Sequence, residues 1–115
     1  MVAWAALASC SSREDPRISG RLVLEYWEKW TGLEREAMAS LVEDFNNSQN
    51  RIYVRYLSVS RVDQKMMLAT AGNVPPDVVG LWSINLPSYA ENNALMPLDR
   101  LVREAEICLL YTSDA

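Results

Sequence analysis

Leu22-Val23-Leu24-Glu25-Tyr26-Trp27-Glu28-Lys29-Trp30-Thr31-Gly32, or LVLEYWEKWTG, is the stretch whose reading decides the fold. Leu22, Val23 and Leu24 predict a short buried strand. The aromatic run Tyr26, Trp27 and Trp30 then leads into a helix that starts at Thr31. In an open α/β sheet, ligands are met beyond the carboxyl ends of strands. Two tryptophans there, with Glu28 and Lys29 between them, mark a candidate wall of a binding cleft.

Downstream, Thr31-Gly32-Leu33-Glu34 fits a capping box, in which the threonine hydroxyl takes a first-turn N–H and Glu34 reaches back. Leu33, Ala37, Met38, Leu41 and Phe45 then recur at spacings of three and four and predict one core-facing stripe. Asn46-Asn47-Ser48 ends that helix, because short polar side chains compete for backbone hydrogen bonds. Arg51 to Val59, rich in Ile, Val and Tyr, predicts a strand nearer an edge than the centre. Ser60 to Ala71 predicts a second helix with Gly72-Asn73 as its stop and Met66-Met67 in the core. After Pro75-Pro76-Asp77, the run Val78-Val79-Gly80-Leu81-Trp82 predicts a central strand covered on both faces. Pro87 to Asn92 reads as a short helix with proline in its first turn, and Asp99 as the cap of a last helix through Ala105.

Strand, helix, strand, helix, strand, helix is the pattern of an open parallel sheet with right-handed crossovers, a β-α-β-α-β-α lobe of the α/β class. The loops leaving the first and third strands carry Trp27, Glu28, Lys29 and Trp30, and then Trp82, Ser83, Ile84 and Asn85. If those strands are neighbours at a switch point, the two loops face one another. Aromatic faces suit the apolar C–H faces of sugars, while their rim hydroxyls need donors and acceptors such as Glu28, Lys29, Ser83 and Asn85. Blander readings stand beside these. Trp27 and Trp30 also fit as caps over the first helix, Glu28 and Lys29 as a solvated pair, and Asn85 as a helix cap before Leu86 and Pro87.

Composition narrows the function classes. The chain has 115 residues, half of them apolar, which suffices for a core and for one domain at most. A net charge of -4, from 11 basic and 15 acidic residues scattered along the chain, offers no basic stripe for nucleic acid. The absence of histidine removes the commonest general base and metal ligand. No glycine-rich phosphate loop, serine elbow or metal-spaced His/Cys set is found, so neither an enzyme nor a cofactor is expected. No apolar run approaches the roughly 20 residues that span a bilayer.

Both ends depart from this pattern. Leu7-Ala8-Ser9-Cys10, after the apolar Val2 to Leu7, resembles the lipobox of a bacterial lipoprotein signal peptide, with Ser11 to Pro16 as a polar tether. The resemblance implies a lipid on Cys10 and an anchored membrane association. No Lys or Arg precedes Cys10 and the apolar segment is short, so the true start is expected upstream. The alternative is a buried cysteine on a frayed segment. At the other end, CLLYTSDA resembles an adapter sequence translated in frame, against a native strand as the alternative. The expected organisation is therefore 1–9 signal remnant, 10–20 tether, 21–106 partial lobe, and 107–115 foreign to the fold.

The order YWEKWTG, a charged amphipathic helix ending VEDFNNSQN, IYVRYLSV, KMMLATAGNVPPDVVGLW and YAENNALMPLDRLV resembles the start of an extracellular solute-binding protein. The group is the sugar-binding one that serves ABC importers and includes maltose-binding protein. The similarity covers roughly Arg21 to Ala105. It implies the N-terminal part of a two-lobed periplasmic-binding-protein fold that closes on its ligand and docks on permease subunits, at the outer face of the cytoplasmic membrane or in a periplasm. In that family the segments after the first and third strands line the cleft, and here these hold Trp27, Glu28, Lys29, Trp30, Trp82, Ser83 and Asn85. Asn85 stands where many relatives have a carboxylate; an amide both donates and accepts. The rival from another class is part of a flavodoxin-like or other α/β enzyme with its catalytic residues elsewhere. A purely structural surface lipoprotein leaves aromatics at two strand ends without explanation.

Overall fold

A computed structural model describes residues 15–105, and Cys10, the expected signal remnant 1–9 and the segment 107–115 with CLLYTSDA lie outside them. The chain divides after Gly80 into two compact units, each described by itself.

Among its described residues the first unit holds three parallel strands and two helices: β1 (Leu22–Glu28), α1 (Gly32–Ser48), β2 (Ile52–Ser58), α2 (Val62–Ala71) and β3 (Val78–Gly80). The strand order is β2-β1-β3. Leu22 to Glu28 pair in register with Ile52 to Ser58, and Tyr26, Trp27 and Glu28 with Val78, Val79 and Gly80. The first and third strands are therefore neighbours, as the switch-point reading requires, and β2 lies at an edge. The central strand is β1 and not β3. Among the described residues β3 has one partner and only three residues, so the run through Trp82 does not continue as strand. β1 is correspondingly longer than Leu22-Val23-Leu24, because pairing on both sides draws Tyr26, Trp27 and Glu28 into the ladder.

Asp77 lengthens the β1–β3 pairing: its N–H donates to the Glu25 carbonyl (3.0 Å), and its carboxylate accepts from the Glu25 N–H (2.8 Å). The outer edge of β2 is closed by side chains. Asn46 Oδ1 accepts from the Val54 N–H (2.8 Å) and Asn46 Nδ2 donates to the Val54 carbonyl (3.0 Å), while Gln49 brackets Ile52 in the same way (2.8 and 2.7 Å). Two amides thus stand in for a missing strand, which blunts an edge that would otherwise template pairing.

α1 begins without the capping box. Thr31 occupies the N-cap position but makes no side-chain cap hydrogen bond, and the chain enters the helix through Gly32 at φ 62°. That left-handed conformation is cheap only for glycine. The α1 stripe is not core either: Leu33, Leu41 and Phe45 are exposed, and the buried residue is Asn46. Leu41, Val42 and Phe45 with Leu24, Tyr26 and Val78 line an open apolar groove of about 270 Å³. The tightest packing lies on α2, where Val62, Met66 and Ala69, spaced four and three, are buried. The methionine pair splits, Met66 inside and Met67 exposed, because adjacent helical residues point about 100° apart. α2 stops as expected, with Asn73 and not Gly72 taking the positive φ of 56°.

The second unit holds a 3-10 turn (Ser83–Asn85), α3 (Leu86–Glu91) and α4 (Asp99–Glu104). Pro87 sits in the first turn of α3. Asp99 is the first residue of α4 and Leu98 its cap position, so the expected acidic cap is displaced by one residue. No helix among the described residues is long and apolar enough to cross a membrane.

Candidate functional site

The site begins at the carboxyl end of β1. Residues paired across a parallel ladder share a face, so Glu28 lies between Ser58 of β2 and Gly80 of β3, while Trp27 projects from the opposite face with Leu57 and Val79. Glu28 is 4% exposed and fully engaged. Its Oε2 accepts from the Tyr26 hydroxyl (2.6 Å), and its Oε1 accepts from the Lys29 N–H (2.8 Å) and the Lys29 ammonium (3.2 Å). Burial alone would raise the Glu28 pKa, but the hydrogen bonds from Tyr26 and Lys29 prevail and hold it below its ordinary value. Burial and the neighbouring carboxylate push Tyr26 well above the usual phenol range, and they raise Tyr56 as well. The two tyrosine rings are 5.5 Å apart, and the buried Tyr56 hydroxyl has no hydrogen-bond partner among the described residues.

Among the described residues of this unit, both indoles carry an ammonium on a ring face. Lys29 Nζ lies 4.4 Å from the Trp30 ring centroid and Lys65 Nζ, from α2, lies 4.4 Å from that of Trp27. Each tryptophan is partly buried, and the Ser58 hydroxyl donates to the Trp30 carbonyl. The turn Lys29-Trp30 is therefore tied to the sheet at two points, by Glu28 and by Ser58. The Glu28–Lys29 pair is not the solvated surface pair of the bland reading, since both side chains are largely covered.

In the second unit Trp82 is 54% exposed and its carbonyl accepts from the Asn85 N–H (2.9 Å). Ser83 opens the 3-10 turn and is exposed; Asn85 is partly buried at the α3 cap position but makes no side-chain cap bond. Sequence reasoning named Trp27 to Trp30 and missed Tyr26, Ser58, Lys65 and Gly80, whose roles depend on register. Among the described residues no group of three His, Cys, Asp or Glu is placed to hold a metal.

No protein-family profile matches the chain, and no curated protein matches it. Solved structures do match, among them CpMnBP1 with mannotriose bound: 29% identity, TM-score 0.67, covering 73% of this chain and 22% of that one. The chain thus spans about a fifth of that protein's length. The fold is α/β, an open parallel sheet with its helices, corresponding to part of one lobe of a periplasmic-binding-protein fold. The protein it resembles in that comparison holds an oligosaccharide.

Proposed function

We propose that this chain belongs to the substrate-binding component of an ABC importer, which captures an extracellular sugar or oligosaccharide and delivers it to membrane permease subunits. The observation that carries the reading is the likeness to a mannotriose-bound protein, and the indole-rich carboxyl end of β1 supplies the candidate contacts. Trp27 and Trp30 supply stacking faces. Lys29 supplies a donor, and Glu28 acts from beneath by holding Lys29. Trp82, Ser83 and Asn85 are assigned as further ligand contacts from the segment after β3. Capture combines partial desolvation, stacking and hydrogen bonding, and closure of a two-lobed whole shifts the population presented to the transporter. No covalent chemistry is involved. A lipid on Cys10 would hold the protein in the cell envelope, at the outer face of the cytoplasmic membrane or in a periplasm. Titration of the two-lobed whole with mannotriose, followed by calorimetry and tryptophan fluorescence, tests the sugar assignment. Saturable heat with a fluorescence change supports it, and an unchanged signal without heat refutes it.

A further inference from the structure

Gly80 sits opposite Glu28 in the β1–β3 ladder, and a Cβ added to it would land on both carboxylate oxygens and Cδ of Glu28. The backbone of Gly80 is not among those with positive φ, so the glycine is needed for space and not for conformation. The end of a flexible side chain ordinarily moves aside at little cost. Here it cannot, because Glu28 is 4% exposed and its oxygens are held by Tyr26 and by two donors of Lys29. Displacing the carboxylate would break three hydrogen bonds and leave a buried charge poorly paired.

We propose that Gly80 and Glu28 form a positioning pair for Trp30: the vacant Cβ position admits the carboxylate, the carboxylate fixes Lys29, and Lys29 with Ser58 sets the indole. The chain of contacts is continuous. Lys29 is bound through both its backbone N–H and its ammonium, the same ammonium lies over the Trp30 ring, and Ser58 holds the Trp30 carbonyl. Three strand-end residues from three strands, Ser58, Glu28 and Gly80, thereby aim one aromatic side chain. The pair deepens the sugar-binding reading, and it rests on that reading only in the step from indole orientation to ligand affinity.

A double-mutant cycle on the 115-residue chain tests this with Gly80→Ala, Glu28→Ala and the two together, read by thermal midpoint. Gly80→Ala should lower the midpoint by more than about 4 °C where Glu28 is present, and by much less once Glu28→Ala has emptied the space. Equal shifts in the two backgrounds would overturn the proposal. If Gly80→Ala prevents folding, Glu28→Gln serves, since it keeps the shape and removes the charge that holds Lys29. In a background with Trp4, Trp27 and Trp82 changed to Phe, Glu28→Gln should raise iodide quenching of Trp30, and unchanged quenching again overturns the positioning. Mannotriose titration of the two-lobed whole separates the two ideas. Coupling without mannotriose heat upholds the pair and defeats the sugar reading, whereas mannotriose binding without coupling defeats the pair alone.

Discussion

Replacing Asn46 by alanine should be the most costly single change on α1, although Asn46 is polar and its helix carries larger apolar residues. Asn46 is 4% exposed, and its amide makes a donor and an acceptor bond to the same residue, Val54. Removing it leaves the Val54 N–H and carbonyl without a partner at a covered edge, at about 1–3 kcal/mol for each group. Alanine returns up to roughly 0.7 kcal/mol in helix propensity. The net loss is then about 1–5 kcal/mol, a large share of the 5–15 kcal/mol or so that holds a typical domain. Leu33→Ala, at an exposed position, should stay within about 0.5 kcal/mol. Urea unfolding followed by tryptophan fluorescence gives the difference, and hydrogen exchange at the Val54 amide localises it. Asn46→Asp discriminates further, because its carboxylate still accepts from the Val54 N–H but faces the Val54 carbonyl with no donor. If Asn46→Ala costs less than about 0.5 kcal/mol and Val54 exchange is unchanged, the amide is not a strand surrogate.

Trp30→Ala should weaken mannotriose binding tenfold or more, about 1.4 kcal/mol, while leaving far-UV circular dichroism intact; undiminished affinity by calorimetry would remove Trp30 from the site. Tyr26 and Tyr56 ionise above the ordinary phenol value of 10.0 in the folded chain. An acid whose folded pKa is raised stabilises the fold below its unfolded pKa, and that contribution is lost as pH rises through the folded value. Of the five tyrosines, these two should therefore titrate late at 295 nm and together with alkaline unfolding, and one ordinary step for all five would contradict their burial.

The local elements were legible because they rest on local chemistry. Asn46-Asn47-Ser48 and Gly72-Asn73 ended α1 and α2 where the structure ends them, and the Ile/Val/Tyr-rich segment with its two arginines formed the edge strand. The errors share a different cause. Val78-Val79-Gly80 has the apolar run of a covered central strand, yet centrality is decided by which strand finds two partners, and that strand is β1. Asn46 is a turn-former by composition, but its amide acts across the fold on a neighbouring edge.

Glu28 carries the same lesson into the candidate site. Beside Lys29 in the sequence it has the signature of a wet surface pair, and nothing within several residues hints at its burial. What buries it is a glycine 52 positions later, placed opposite by the parallel register. The sequence could reveal this only after the strands had been paired, because an absent side chain leaves no local signal. Once β1 and β3 are aligned, Gly80 beside Glu28 becomes an expected site for a carboxylate. The indole-rich turn above it follows from the same alignment: Trp30 is held by residues from β1 and β2, and its support from β3 is a space and not a contact.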